Sequence, residues 1–412
     1  MLAELSTFNT ALYVGGIAVV GVIGSLIVRK LRLPGITGYL LIGVLLGPSV
    51  TGFLHHDTVA KYAGVVTPLG LAFIAYSIGG SLPLSSLKGL LRSIITIILC
   101  EGTLAWIFVL VLVTVTAPLV LPDGTVDFES SLAMGLILGA ISLATAPGVT
   151  MAVIADSGAK GPLTTTLITV VALDDVLAVS AYAIAVGLIA ILFGAVDTMA
   201  PGAFLASEFF SIAGSIVLGA TLALPLLWLS HYARDRKEKL ILILGMLFLA
   251  AGLSEYLHLH PIITNMVLGF TIVNVQSQGQ DLIEISGDVE GVIFVIFFTI
   301  AGAHLDLSII TASAPLAIVI VLGRSSGKLL GAWVGAKASG APEVVTTYLG
   351  LTLMPIAGVT VGLAMLVEQT PELAPISQFV INSLLAATLI NEIIAPPLSK
   401  FALEKSGEAT AN

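Results

Sequence analysis

The chain has 412 residues, of which 57% are hydrophobic and only 10% are charged, and its formal net charge is −9. Soluble domains carry about 25% charged residues, so a soluble globular protein is excluded. A disordered chain, which needs low hydrophobicity and high charge, is excluded for the same reason. The composition therefore predicts a polytopic helical membrane protein.

Apolar stretches of about 20 residues predict thirteen transmembrane helices, here called spans one to thirteen. They cover residues 10–28, 34–54, 62–82, 93–117, 131–155, 162–194, 209–231, 240–256, 261–276, 287–305, 308–338, 343–367 and 374–399. The first span is not a signal peptide, because Glu4 precedes it and no basic residue does.

Basic residues lie almost entirely on one side of this array. Thirteen of the sixteen follow odd-numbered spans or lie in the C-terminal tail, whereas Lys61 alone lies on the other side. The thirteen are Arg29, Lys30, Arg32, Lys88, Arg92, Lys160, Arg234, Arg236, Lys237, Lys239, Lys337, Lys400 and Lys405. The positive-inside rule then predicts a multi-pass protein of the cell (inner) membrane, with the N-terminus outside and the C-terminus cytoplasmic.

Two halves of the chain resemble each other in sequence. Residues 146–150 in span five resemble 356–360 in span twelve, and 77–80 in span three resemble 299–302 in span ten. Each match pairs a span with the seventh one after it, and an odd shift inverts the second half in the membrane. We therefore expect two inverted six-helix repeats joined by a linker helix, as in secondary transporters. The alternative is chance similarity between apolar helices.

Spans five and twelve each have proline and glycine at mid-span. The residues are Ala144, Pro147 and Gly148 in span five, and Pro355 and Gly358 in span twelve. Proline removes a backbone donor, and unwound backbone at membrane depth must be buried or line a cavity. The matched pair predicts crossed, discontinuous helices at a binding site; a pair of simple proline kinks is the alternative.

Asp174 and Asp175 lie in the middle of span six, which has no other charged residue. One carboxylate at the bilayer centre costs roughly 2.5–3.5 kcal/mol, so two adjacent ones indicate function. Successive helical side chains point about 100° apart, so one Asp can bind a cation while the other pairs with a base. A structural ion pair, the alternative, explains only one of them.

Arg324 and Lys328 lie inside span eleven, four residues apart and so on one face. Glu101 is the other deep carboxylate, and aligning the two repeats places it opposite Arg324. We therefore predict a structural Glu101–Arg324 ion pair, which leaves Lys328 for Asp174. The reverse assignment, with Arg324 on Asp174, stays open.

Three further acids have ordinary explanations. Asp288 and Glu290, at the cytoplasmic start of span ten, could attract cations to a funnel, although a solvated helix start is the default interpretation. Glu392, near the cytoplasmic end of span thirteen, is predicted to be a structural or interfacial acid.

Several of these motifs together resemble a known family. They are Ala172-Leu173-Asp174-Asp175, Ala144-Thr145-Ala146-Pro147, Phe297-Phe298-Thr299-Ile300-Ala301-Gly302 and Gly327-Lys328-Leu329-Leu330-Gly331-Ala332. Over nearly its whole length the chain resembles the monovalent cation:proton antiporter superfamily, specifically the sodium–proton antiporters of its second branch. The resemblance implies a core, ion-translocating domain of residues 62–194 and 287–399. It also implies a dimerisation or scaffold domain of residues 1–61 and 209–276, and hence a homodimer.

The resemblance also implies roles for the site residues. Asp175 would bind Na⁺ and the proton where spans five and twelve cross, and Thr145 with nearby backbone carbonyls would complete the site. Asp174 would be the second carboxylate, paired with Lys328 when the cation is absent. Relatives with Asn at the first Asp tend to be electroneutral, so Asp174 favours electrogenic exchange.

The sequence thus predicts a transporter and no enzyme, which exchanges Na⁺ or Li⁺ for H⁺ by alternating access. It needs no cofactor beyond the transported ions and has the lipid bilayer, but no nucleic acid, as a partner. A K⁺/H⁺ antiporter is the first alternative, because cation selectivity depends on cavity details that sequence does not give. A sodium-coupled organic anion symporter and a channel are the others.

Overall fold

The computed structural model describes residues 10–30, 35–84, 91–121, 127–192, 201–275, 279–305, 307–356, 359–370, 373–374 and 376–409. In these ranges the chain forms fifteen α-helices and no β-strand. The helices are α1 Thr10–Lys30, α2 Gly35–Leu46, α3 His56–Gly80, α4 Leu91–Val120, α5 Phe128–Ile141, α6 Pro147–Ser157, α7 Pro162–Leu192, α8 Pro201–Ser230, α9 Arg236–Tyr256, α10 Pro261–Val275, α11 Gly279–Ala303, α12 Leu307–Ser339, α13 Glu343–Thr352, α14 Val359–Gln369 and α15 Ser377–Lys405.

Eight of the described helices are long and apolar enough to cross a membrane, namely α1, α4, α7, α8, α9, α11, α12 and α15. Shorter apolar helices of 10–17 residues accompany them, including α2, α5 and α10. A helix rises 1.5 Å per residue, so about 20 residues cross the hydrocarbon core. The chain is therefore a multi-pass helical membrane protein.

Predicted spans five and twelve are each divided into two helices. Helix α5 ends at Ile141 and α6 begins at Pro147, a residue that fits a first helical turn because its missing N–H has no intrahelical partner there. Helix α13 ends at Thr352 and α14 begins at Val359. The two breaks are joined directly, because the Ala146 N–H donates to the carbonyl of Pro355 at 3.0 Å.

Helices α4 and α12 approach so closely that glycine is required between them. A Cβ atom on Gly331 would collide with the backbone of Glu101, and one on Gly327 would collide with Ala105. This contact is the most extensive between any two described helices. Helices α5, α7, α13 and α15 pack against the pair, α6 and α14 pack against α15, and we call these eight helices the α4–α12 unit.

A second group of helices is built on similar contacts. Gly79 of α3 lies against the carbonyl of Met266 in α10, and Gly302 of α11 lies against the carbonyl of Leu40 in α2. Helices α1, α8 and α9 pack against these four, and we call the seven helices the α2–α11 unit.

The predicted division into a core and a scaffold domain stays a prediction, and close glycine contacts cross it at two helices. It assigned most of α3 and of α11 to the core domain, through the ranges 62–194 and 287–399. Their closest backbone contacts are with α10 and α2, which it assigned to the scaffold. Backbone-to-backbone contact leaves little room for sliding, so we group α3 and α11 with their glycine-matched partners.

Candidate functional site

Five charged side chains are buried around the two helix breaks. Glu101 of α4, Asp174 and Asp175 of α7, and Arg324 and Lys328 of α12 are each at most 1% exposed. These are the five deep residues that the sequence singled out. A buried charge is unfavourable unless it is paired or hydrogen-bonded, so their partners determine what the cluster can do.

Lys328 lies at the centre of the cluster and bridges two carboxylates. Its Nζ is 2.7 Å from Oε2 of Glu101 and 2.8 Å from Oδ2 of Asp174. The same nitrogen donates to the carbonyl of Leu143 at 2.6 Å. The structure therefore brings Lys328 and Asp174 together and adds Glu101 as a second acid on the same ammonium group.

Thr145 connects this pair to the first helix break. Its Oγ1 donates to Oδ2 of Asp174 at 2.7 Å and lies 3.1 Å from Nζ of Lys328. Because Thr145 stands between α5 and α6, its hydroxyl points at the charged groups rather than at the carbonyl of a preceding helical turn. The unwound backbone thus contributes both a hydroxyl group and the Leu143 carbonyl to the site.

Arg324 hydrogen-bonds to the backbone of both breaks. Its Nε donates to the carbonyl of Ser142 at 2.9 Å and its Nη1 to that of Met354 at 2.7 Å. Its Nη2 donates to the carbonyls of Ala144 at 2.8 Å and Leu353 at 3.2 Å. Carbonyls at helix C-termini lack intrahelical donors, and a guanidinium group offers five donors in a planar fork. Arg324 therefore fixes the ends of α5 and α13 relative to each other.

The predicted Glu101–Arg324 ion pair differs from the structure, in which Glu101 pairs with Lys328. The glycine contacts give the reason. Gly331 lies opposite Glu101 and Gly327 opposite Ala105 in antiparallel helices, so Arg324 is level with a position seven residues beyond Glu101. Seven residues are roughly 10 Å along a helix, beyond direct contact, whereas Lys328 is about one turn away. Alignment of the two repeats gives no information on this register.

Asp175 has surroundings unlike those of Asp174. It is 1% exposed, yet neither carboxylate oxygen has a hydrogen-bond partner in the described part of the chain. Asp175 lines a cavity of about 240 Å³, together with Ala146 and Pro147 at the first break and Val359 at the start of α14. The two aspartates thus have different surroundings, since Asp174 faces Lys328 and Asp175 faces the cavity.

The remaining predicted site residues lie at or beside the breaks. Ala144 and Pro355 each contribute a carbonyl acceptor, and Pro147 and Gly148 open α6. Gly358 lies outside the described residues. No group of three or more His, Cys, Asp or Glu among the described residues is arranged to hold a metal ion. Among the described site residues, the carboxylate oxygens of Asp175 have no hydrogen-bond partner, whereas the Thr145 hydroxyl and the named carbonyls of the breaks are already hydrogen-bonded.

One buried acid lies apart from the cluster. Glu392 of α15 is 1% exposed, and its Oε2 accepts a hydrogen bond from Oγ1 of Thr37 in α2 at 3.0 Å. The sequence predicted a structural or interfacial acid here but not its partner. Since α15 and α2 belong to different units, this hydrogen bond crosses the boundary between them.

One family model and two solved structures are similar to the chain. The family described as "Sodium/hydrogen exchanger, transmembrane" matches residues 15–405. The fold is similar to a structure of the sodium proton antiporter MjNhaP1 from Methanocaldococcus jannaschii at pH 8, with a TM-score of 0.76, 20% identity, and coverage of 95% of this chain and 97% of that one. An electron-microscopy structure of the same antiporter gives a TM-score of 0.76 and 18% identity over 98% and 100% of the two chains. No curated protein matches the chain in a sequence search.

Proposed function

Because the chain belongs to the sodium/hydrogen exchanger family, we propose that it exchanges Na⁺ for H⁺ across the membrane at Asp175. The family that its motifs predicted is thereby confirmed, and the chain is a membrane transporter rather than an enzyme. Na⁺ and H⁺ are its cargo, and the mechanism below calls for no cofactor.

The observation that carries this proposal is the difference between the two aspartates. Asp174 is neutralised by Lys328 at 2.8 Å, whereas Asp175 has no basic partner among the described residues and faces a cavity. A buried carboxylate without a counter-charge is unstable in its ionised form. Asp175 is therefore stable when it holds either a proton or a cation, and competition between the two produces exchange.

The Asp174–Lys328 pair supplies the second proton of the proposed cycle. In the proton-loaded state Asp175 is protonated and the Lys328 ammonium pairs with Asp174. When Na⁺ binds, Asp175 releases its proton, Asp174 turns to the cation with Thr145, and Lys328 releases a second proton. Two protons then move for one Na⁺, so the exchange is electrogenic. Glu101 stays beside Lys328 throughout.

The arrangement of the two units supports alternating access. We propose that the α4–α12 unit carries Asp175 past the α2–α11 unit. The α2–α11 unit would stay in place and form the contact between the two subunits of a homodimer. Each unit has internal glycine contacts that resist sliding, and the cavity lies between the units. With the N-terminus outside, as the basic residues predict, this cavity opens toward the cytoplasm.

The buried basic residues argue against transport of an organic anion. Arg324 has backbone carbonyl partners and Lys328 has carboxylate partners, so neither faces the cavity with a free positive charge. The cargo that fits is therefore a cation. Li⁺ and K⁺ could use the same oxygen ligands, and a K⁺/H⁺ antiporter is the alternative that the test below distinguishes.

Exchange is tested with purified protein in proteoliposomes that contain a pH-sensitive dye. Addition of Na⁺ should move protons in the wild type, and Asp175→Asn should abolish the signal because it removes the ionisable group. Glu284→Gln is the matched control, since it neutralises a carboxylate with a 77% exposed side chain on α11. Undiminished exchange in Asp175→Asn would refute the proposal, and parallel titrations with Na⁺, Li⁺ and K⁺ identify the cargo.

A further inference from the structure

A histidine–glutamate ion pair joins the two units at a distance from the Asp175 cavity. Nε2 of His304, which follows the last residue of α11, lies 3.0 Å from Oε2 of Glu368 near the end of α14. His304 thus belongs to the α2–α11 unit and Glu368 to the α4–α12 unit. Their side chains are 7% and 35% exposed, so the contact is partly shielded from solvent. The proposed exchange cycle uses neither residue.

Helices α11 and α14 both lead from the cavity to this ion pair. Phe298 of α11 and Val359 at the start of α14 line the cavity. At a rise of 1.5 Å per residue, the ion pair lies roughly 9 Å beyond Phe298 and roughly 13 Å beyond Val359. Between the two, α14 lies against α3, where a Cβ atom on Gly362 would collide with the side chain of Leu71. The boundary between the units is thus open at the cavity and closed toward the ion pair, which the predicted orientation places on the outer side.

The second nitrogen of the His304 ring makes this contact depend on a proton. Nδ1 lies 3.0 Å from the carbonyl oxygen of Ile300, and a carbonyl only accepts, so Nδ1 carries a hydrogen. In a neutral ring Nε2 is then an acceptor, and it would face the carboxylate of Glu368, which is also an acceptor. One further proton, on either Nε2 or Oε2, turns this repulsion into attraction. Histidine gains and loses such a proton between about pH 5 and 8.

Other titratable groups surround the contact without pairing with the ring. The elements packed around the ends of α11 and α14 carry, among the described side chains, Tyr13, His55, Tyr182, Glu255 and His260. His304 forms an ion pair with none of these. The charged and titratable side chains nearby in sequence that lie outside the described residues are His56, Asp57, Lys61 and Asp306. Glu368 is therefore the acid that the described structure places on the His304 ring.

We propose that His304 and Glu368 form a proton-dependent latch, which holds the boundary between the two units closed on the outer side. This inference rests on the proposed Na⁺/H⁺ exchange and on the proposed movement of the units. When Asp175 turns to the outer side, α14 moves relative to α11 and the ion pair must break. Acid on the outer side supplies the shared proton, strengthens the latch and so slows exchange, whereas alkaline solution removes the proton and releases the latch.

The test measures Na⁺ efflux from Na⁺-loaded, right-side-out membrane vesicles at constant inner pH. His304→Asn keeps a donor for the Ile300 carbonyl but is too short to reach Glu368, so it opens the latch. The ratio of its rate to the wild-type rate cancels the proton driving force. This ratio should be about one near outer pH 8 and about three near outer pH 5.5, and Glu368→Ala should behave alike.

A permanent charge at the same position should have the opposite effect. His304→Lys keeps the latch closed at every pH, so its rate should be about a third of the wild-type rate near outer pH 8 and equal to it near pH 5.5. His258→Asn is the matched control, because it makes the same change at an exposed histidine that the predicted orientation places on the same side. Its ratio to the wild-type rate should not vary with outer pH.

Three results would overturn the inference. A His304→Asn ratio that does not vary with outer pH would show that the ring proton controls no closure, and one that follows the inner pH would place the latch on the wrong side. A His304→Lys variant that behaves like His304→Asn would show that charge does not hold the units together. If His304→Asn is inactive throughout, Glu368→Ala decides, and its failure to show the rise in outer acid, inactivity included, also overturns the inference. If the wild type itself shows no Na⁺-driven proton movement, the proposed function has failed instead.

Discussion

Replacing Arg324 by lysine should destabilise both helix breaks although the positive charge is kept. The guanidinium group donates to four backbone carbonyls, those of Ser142, Ala144, Leu353 and Met354. A lysine has a single nitrogen and cannot reach acceptors at the ends of both α5 and α13. At least two of the four carbonyls are then left without a donor in a fully buried position.

The magnitude follows from the loss of those hydrogen bonds. Each buried polar group left unpaired costs about 1–3 kcal/mol, so Arg324→Lys should destabilise the protein by about 2–6 kcal/mol. The midpoint of thermal unfolding in detergent should fall by on the order of 5 °C or more. Exchange should slow as well, because the same carbonyls border the site that Thr145 and Lys328 share.

The assay is fluorescence-detected thermal unfolding of purified protein, followed by exchange measurements in proteoliposomes. Arg234→Lys is the matched control, since it makes the same chemical change at an exposed position. If the Arg324→Lys midpoint falls no further than that of Arg234→Lys, the role assigned to Arg324 in holding the breaks is wrong.

Two further predictions concern the hydrogen bonds of buried acids. Asp174→Asn should leave Na⁺-dependent exchange measurable but reduce the associated current to background. The reason is that Lys328, which releases the second proton, loses Asp174 as its partner. Solid-supported membrane recordings measure this current, and a full current per Na⁺ would contradict the electrogenic cycle. Thr37→Val should destabilise the protein by about 1–3 kcal/mol, since it leaves the buried Glu392 carboxyl without its donor, whereas Thr37→Ser should not. Equal unfolding midpoints for the two Thr37 variants would show that this hydrogen bond contributes nothing.

The five deep charges could be found from the sequence because a bilayer makes buried charge rare. Glu101, Asp174, Asp175, Arg324 and Lys328 all lie at the helix breaks and are almost fully buried. The breaks themselves were also predictable, since proline and the loss of its N–H act locally on the chain. Both features depend on individual residues and on the solvent around them.

The pairing of those charges depends on helix register, which the alignment of the two repeats does not give. A signal was present in α12, where Gly323, Gly327, Gly331 and Gly335 recur every four residues. Such a stripe marks the face on which two membrane helices touch. The stripe identifies the α4-facing side of α12 but not the axial position of Glu101. The partners of Arg324 had no signal at all, because backbone carbonyls are the same in every sequence.

The buried cluster contains three acidic and two basic side chains, so its formal charge is one unit negative when all are ionised. In the proposed cycle the proton-loaded cluster is neutral, because Asp175 is protonated and Lys328 is charged. With Na⁺ bound and both protons released, the cluster together with its cation carries one negative charge, and without the cation it would carry two. Moving the doubly charged, empty cluster between the units is costly in a medium of low dielectric constant. This cost disfavours movement without cargo in the Na⁺-carrying half of the cycle.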